Sequence, residues 1–164
     1  MAAADGSLSF RREPRADDPG KVGCLVAATG FFWQAEIEVA VELVQERLAN
    51  GPASGYEFLF AERDGELLGY TCFGPIALTE ASYDLFWIAV DPRFQGQGVG
   101  RILLEQSEAL IRDRGGRRVY IETSGRELYA STRGFYLKCG YEEAAFLEDF
   151  YAPGDGKLIY CKAV

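Results

Sequence analysis

The segment Val90-Asp91-Pro92-Arg93-Phe94-Gln95-Gly96-Gln97-Gly98-Val99-Gly100-Arg101 gathers the residue types that can hold an anion. Glycines let a backbone approach a ligand closely, and the unpaired N–H groups and dipole at a helix start favour phosphate. Gly96, Gly98 and Gly100 alternate there, between a strand-like run and a helical one. Glycines that serve no ligand only weaken a turn or helix, so a bare connection is the less favoured reading. A P-loop needs Lys and then Ser or Thr after the last glycine, whereas Arg101-Ile102 follows here. A dinucleotide turn in the G-x-G-x-x-G register needs glycine where Arg101 stands. The anion is therefore expected to be of another kind.

Proton chemistry is restricted just as sharply. The chain has no histidine, which removes Ser-His-Asp and Cys-His triads and most catalytic zinc sites. Acid and base roles fall to Tyr, Glu, Asp, Lys, Cys or water. Cys24, Cys72, Cys139 and Cys161 are scattered without C-x-x-C spacing, so no metal and no redox motif is expected. Three of them sit in apolar or strand-like surroundings, which suits buried, reduced thiols in a cytoplasmic protein.

The elements that must position these residues follow from hydrophobic period. Leu8–Arg11 alternates as a short strand. A weakly marked helix is expected over Asp17–Ala28. A second helix carries Ile37, Val41, Val44 and Leu48 on one face and stops at Asn50-Gly51-Pro52. Tyr56–Arg63 and Glu66–Phe73 flank Asp64-Gly65, the preferred two-residue hairpin turn. Tyr83–Val90 is aromatic, β-branched and nearly continuous, as in a buried central strand. A helix over Val99–Arg114 points Val99, Leu103 and Leu110 inward and Arg101, Glu105, Glu108 and Arg112 outward, and Gly115-Gly116 ends it. A strand over Arg118–Thr123, a helix over Leu128–Cys139 and a strand pair, Tyr141–Leu147 and Lys157–Cys161, complete the chain. A loop over residues 149–156 joins that pair. Hairpins mixed with crossovers imply an α/β chain with a mixed sheet and helices on its faces.

Bulk properties narrow the setting. A length of 164 residues suits one domain spanning 1–164, and 48% hydrophobic residues can supply its core. The net charge of −8 (17 basic, 25 acidic) disfavours nucleic acid and anionic membrane as partners, and mildly favours a cationic substrate. No apolar run approaches the ~18–20 residues of a membrane span. The first ten residues hold Ala2, Ala3 and Ala4 but no basic cluster before an apolar stretch, so no signal peptide is expected.

With Gln95, Gly98 and Gly100 following a strand that ends Val-Asp-Pro, the chain resembles the GNAT superfamily of N-acetyltransferases. The superfamily signature is Gln or Arg, two residues, Gly, one residue, then Gly or Ala. A second similarity is Phe135-Tyr136, three residues, Gly140 and the aromatic Tyr141. The resemblance covers Tyr56–Tyr160 in element order. It implies a GNAT-like, mostly antiparallel sheet with helices on both faces and acetyl-CoA as co-substrate. The backbone of Gln95, Gly96, Gln97, Gly98, Val99, Gly100 and Arg101 would hold the pyrophosphate. The edge of Ile88-Ala89-Val90 would take the pantetheine arm like an added strand. Members often carry Asn at the start of the late helix, in contact with the cofactor. Glu127 and Tyr129 stand there in this chain, with Tyr129 and Thr132 as the contact candidates.

The activity so implied is acetyl transfer to a primary amine of a small molecule or peptide. Tyr136 is the implied general acid for the leaving thiolate. Glu122, among apolar residues of its strand, is the first candidate for general base, because burial there would raise its pKa. Ribosomal-protein N-terminal acetyltransferases, a loose likeness, use a Glu in the corresponding strand. Asp84 competes for that role, and Glu80 is a third choice. Trp33 and Phe32, with Phe31 beside them, precede the second helix and are candidates for the acceptor wall, plain core being the favoured reading; Tyr151, with Phe150, is a candidate for the same wall. Arg101 is expected to help with phosphates, Arg93 to carry surface charge, and Cys139 to pack. Dimers are common in the superfamily, so a homodimer is open to this chain. Two other readings stand: transfer of a longer acyl group, and a non-catalytic acyl-CoA-binding module.

Overall fold

The computed structural model describes residues 6–164. The reading of the chain start therefore falls partly on residues 1–5, outside the described residues. The element order is the one read from the sequence: β1 (Ser9–Arg11), α1 (Asp18–Ala28), α2 (Gln34–Asn50), β2 (Glu57–Arg63), β3 (Glu66–Pro75), β4 (Ser82–Val90), α3 (Val99–Asp113), β5 (Arg118–Ser124), α4 (Ala130–Lys138), β6 (Glu142–Ala152) and β7 (Asp155–Ala163). The seven strands form a mixed, mostly antiparallel arrangement, with β4 and β5 parallel. The chain divides into two compact units: one reaches Gly74 and resumes over Trp87–Ser107, and the other comprises Pro75–Phe86 and Glu108–Val164.

In the first unit the strand order is β1-β2-β3-β4. Asp64 (φ 52°) and Gly65 (φ 81°) both take the left-handed conformation at the β2–β3 turn, as an Asp-Gly hairpin requires. Period 2 then sends alternate residues of β3 to opposite faces. Tyr70 and Cys72 join Val22, Leu25, Val26, Ala40, Val44, Phe58 and Phe60 in one buried cluster with α1 and α2. Thr71 turns the other way and shares a hydrogen bond with Ser107 of α3 (2.7 Å). Gly69 lies on that second face, and a Cβ there would come within 2.8 Å of the Ala89 carbonyl oxygen. Helices therefore cover both faces of this unit.

The inner stripe of α2 differs from expectation. Ala40, Val44 and Arg47 are buried, while Leu48 is 41% exposed. The Arg47 stem lies along the core, and its guanidinium donates to the Tyr56 carbonyl (3.1 Å) and the Glu13 carboxylate (2.8 Å). A long cation thus takes the place that Leu48 was expected to fill.

In the second unit the order is β4-β5-β7-β6. The β4–β5 ladder has three pairs and stops at Asp84↔Tyr120. β4 itself continues to Val90. It is not the continuously buried strand expected: Tyr83, Leu85 and Ala89 are buried, and Phe86 is exposed. Val119 and Ile121 of β5, Tyr160 of β7 and Ile111 of α3 are buried, as are Tyr136 of α4 and Tyr141. Tyr136 lies 6.0–6.1 Å from the Tyr160 and Tyr141 rings.

Glu108, expected to point outward, is only 4% exposed. The Tyr141 hydroxyl donates to its Oε1 (2.9 Å) and the Lys162 ammonium to its Oε2 (2.8 Å), so the charge is satisfied inside. The expected loop over residues 149–156 is largely strand. β6 runs to Ala152, β7 starts at Asp155, and only Pro153-Gly154 turns between them. Asp149 absorbs the bend with φ 52° and accepts from the Gly154 N–H (2.7 Å). All four cysteines are free thiols, but only Cys72 is buried; Cys24 is exposed. No helix among the described residues is long and apolar enough to cross a membrane.

Candidate active site

In the first unit, β4 ends where Asp91 donates its N–H to the Leu68 carbonyl (2.8 Å). The Asp91 carboxylate accepts from the backbone N–H of Arg93 (2.9 Å) and shapes a short turn over Pro92–Phe94. Arg93 is a brace rather than loose surface charge: its guanidinium bridges Asp91 (2.8 Å) and Glu66 (2.6 Å). Gln95 donates its side-chain N–H to the Val90 carbonyl (3.1 Å), which ties the turn back to the strand.

Gly96 (φ 75°) and Gly98 (φ 83°) both need the left-handed conformation, and the space where a Cβ would stand is open at each. Val99 is buried and anchors the start of α3, whose first regular bond runs from Ile102 N–H to the Gly98 carbonyl. The N–H groups ahead of it have no partner within the helix, and they carry the positive end of its dipole. An open cradle of backbone donors at a helix start fits a pyrophosphate. Arg101 carries an ion pair with Glu105 one turn on (2.9 Å). Ile88, Ala89 and Val90 form the end of β4 that leads into the glycine turn. Phe32 packs on Trp87 (4.9 Å between ring centres), and Trp33 opens α2 at 69% exposure.

The second unit gathers the carboxylates. Asp84 pairs with Tyr120 in register, and Glu122 with Ile159. Period 2 therefore puts Asp84, Tyr120, Glu122, Lys157, Ile159 and Cys161 on one face. Glu122 is not the buried carboxylate expected. Its side chain is half exposed, and the Lys157 ammonium lies 2.6 Å from its Oε2. The alternation Val119, Ile121, Thr123 takes the buried side of β5, and Glu122 falls on the other. Burial raises the Asp84 pKa, the Glu122 charge adds to the rise, and Lys157 opposes it.

Tyr136 reaches its unit from the opposite face. It packs on Tyr160, which alternates with Ile159, and burial pushes its hydroxyl well above the ordinary tyrosine range. Asp84 and Tyr136 thus belong to opposite faces of the sheet. Tyr129 is buried beneath the Arg126 guanidinium (5.5 Å), and Thr132 is half-buried on α4. Phe150 and Tyr151 stand out from β6 as an edge-to-face pair (5.0 Å), both about half exposed.

Residues absent from the sequence-based candidates also shape these sites. Arg133 donates to the Ser124 and Arg126 carbonyls (2.9 and 2.8 Å) and so braces the β5–α4 connection. Lys157 places its ammonium 4.0 Å from the Phe150 ring centre as well as on Glu122. The alternation of Lys157, Ile159 and Cys161 along β7 was the signal that could have placed it.

A GNAT-type transferase fold, with its glycine cradle after β4, is what these features define. A family model described as acetyltransferase (GNAT) family matches residues 24–141, and the chain belongs to that family. A solved GNAT-family chain from Desulfovibrio desulfuricans is 45% identical, with TM-score 0.94 over 96% of this chain and 99% of that one. The ribosomal protein bS18-alanine N-acetyltransferase of Escherichia coli is 37% identical over 82 residues, 50% of this chain and 53% of the relative. The chain thus spans about half the length of the curated relatives that match in this way. An aminoglycoside N(6')-acetyltransferase type 1 of Stenotrophomonas maltophilia is 30% identical over 93% of this chain and 87% of its own. Two more distant chains of the same fold, at 17% and 18% identity and TM-score 0.74, are complexed with coenzyme A.

Proposed function

We propose that this chain transfers the acetyl group of acetyl-CoA directly to a primary amine of a small molecule or peptide. The observation that carries this reading is the open left-handed cradle at Gly96 and Gly98, tied to the end of β4 in a chain of the GNAT family. The backbone of residues 95–101 would hold the pyrophosphate, and the edge of Ile88–Val90 the pantetheine arm. Acetyl-CoA supplies the activated thioester. The protein supplies position and proton traffic.

Transfer forms a nitrogen–carbon bond and breaks a carbon–sulfur bond, so one proton must leave the amine and one must reach the sulfur. Asp84 is assigned the first task in preference to Glu122, because it is half-buried with a raised pKa while a Glu122 oxygen already accepts from Lys157. Tyr136 is assigned the second. Its buried hydroxyl keeps its proton at working pH and can donate to the departing thiolate. The relatives act, by their names, on a protein alanine and on an aminoglycoside. Both are amines, and the Asp84 carboxylate suits an amine that arrives as a cation.

The deciding assay follows thiol release from acetyl-CoA against a panel of amines at pH 7–9, with Tyr136→Phe alongside. Turnover with one amine class, falling about 100-fold or more in the variant while acetyl-CoA binding persists, is the expected result. Acetyl-CoA binding without turnover on any amine would point instead to a non-catalytic module. A second variant checks the cradle. Gly98→Val places a β-branched residue at φ 83°, where such side chains are strained. Calorimetry should show acetyl-CoA affinity reduced at least about tenfold, with the helical circular dichroism signal retained. Unchanged affinity would move the pyrophosphate elsewhere.

A further inference from the structure

We infer that Lys157 is a positioning residue of the acceptor side: it closes an ion pair on Glu122 and so leaves Asp84 as the carboxylate of that face that takes the proton. The inference rests on the reading of Asp84 as general base, and it adds the reason why one of two neighbouring acids has that role.

Three consecutive strands of the second unit present three charges on one face, Asp84 from β4, Glu122 from β5 and Lys157 from β7. Lys157 does not roam over this face. Its side chain is 11% exposed, its ammonium lies 2.6 Å from Glu122 Oε2, and the Phe150 ring from β6 covers it at 4.0 Å. A desolvated ammonium held between a carboxylate and an aromatic face gains from both contacts and loses both by swinging away. The Glu122 oxygen that accepts this bond is not available to an incoming amine.

A neighbouring carboxylate raises the proton affinity of Asp84, and a neighbouring ammonium opposes that rise. The same face also carries Arg118 and Tyr120, both bonded to Cys161 (Arg118 to Sγ at 3.4 Å), Glu142 opposite Cys161, and Ser124 bonded to Asp155, which pairs with Arg126. The charges that act on the Asp84 proton are Glu122, which raises its affinity, and Lys157, which lowers it, on top of burial. Without the ammonium, the Glu122 charge would act on Asp84 uncompensated.

The test is a carbon-detected NMR titration of the Asp84 carboxyl in the full chain, assigned with Asp84→Asn, together with the pH profile of kcat/KM. Lys157→Met should raise the Asp84 midpoint and move the acidic limb of kcat/KM to higher pH by the same increment. Lys157→Arg should keep both near their original positions. Glu122→Gln should lower the Asp84 midpoint, and it carries the test if Lys157→Met does not fold. An Asp84 midpoint that stays put or falls in Lys157→Met, or fails to fall in Glu122→Gln, overturns the inference. A midpoint that moves as expected while the acidic limb does not follow leaves the charge coupling intact and rejects Asp84 as the base.

Discussion

Asp84→Asn is expected to lower kcat/KM by about 10²–10⁴-fold, the usual contribution of a positioned general base, and to make the protein more stable at neutral pH. Both effects have one cause. Burial, reinforced by the Glu122 charge, raises the Asp84 pKa in the folded chain above its ordinary value. The folded state then binds the proton more tightly than the unfolded state does. Below the unfolded value the group is protonated in both states and costs nothing. As pH rises through the window between the unfolded and the folded value, the folded chain comes to hold an ionised carboxylate in a poorly solvated place, and stability falls. Asparagine keeps the shape and removes the charge. Thermal melts of wild type and variant should agree near pH 3 and separate as pH rises, the variant melting higher at pH 7–8. An inactive variant that melts lower at neutral pH would make Asp84 a structural residue. A stabilised variant that keeps its turnover to within threefold would make water or Glu122 the base. A catalytic group that costs stability is the usual trade at active sites.

The sequence made the backbone plan legible because glycine and proline act locally. Asp64-Gly65 has only one short hairpin geometry open to it, and Gly96-Gln97-Gly98 marks a turn that other residues could adopt only with strain. Neither depends on distant parts of the chain. Charged residues were harder to place because their partners come from far along the sequence. Glu108 is buried since Tyr141 and Lys162 reach it, and Arg47 since Glu13 and the Tyr56 carbonyl do. Hydrophobic period alone assigned Glu108 to the surface and gave Leu48 the place that Arg47 takes. The same limit separated Asp84 from Glu122. The sequence presents both as acids in strands, but the β5–β7 register brings Lys157 to Glu122 and not to Asp84. The β6–β7 hairpin hid for the opposite reason. Its Asp, Pro and Gly residues signal a long loop, yet only Pro153-Gly154 turns, and Asp149 sits in a register shift of β6.

Asp18→Ala should have the largest effect on stability, a loss of about 3–5 kcal/mol, because it breaks a buried ion pair from one side. Asp18 begins α1 and is wholly buried. Its two oxygens accept from both terminal nitrogens of Arg11 (2.7 and 2.9 Å), in the bidentate geometry that favours arginine, and Oδ2 also accepts from the Arg15 backbone N–H (2.5 Å). Arg11 in turn reaches Glu62 of β2 (2.7 Å) and stacks on the Phe60 ring (4.4 Å). One carboxylate therefore links the short edge strand β1, the start of α1 and the aromatic core of the first unit. Alanine leaves the Arg15 N–H without its acceptor and Arg11 with a single anionic partner in a largely desolvated place. The melting temperature should fall by roughly 10 °C for a chain of this size. Asp18→Asn separates the terms. It keeps an acceptor for the Arg15 N–H but presents an amide N–H₂ toward the guanidinium, so it should recover only part of the loss. The double variant Arg11→Met with Asp18→Leu removes both charges and should be less destabilised than Asp18→Ala. If Asp18→Ala instead melts within 2 °C of wild type, the pair adds nothing net, and β1 is held by its ladder with β2 alone.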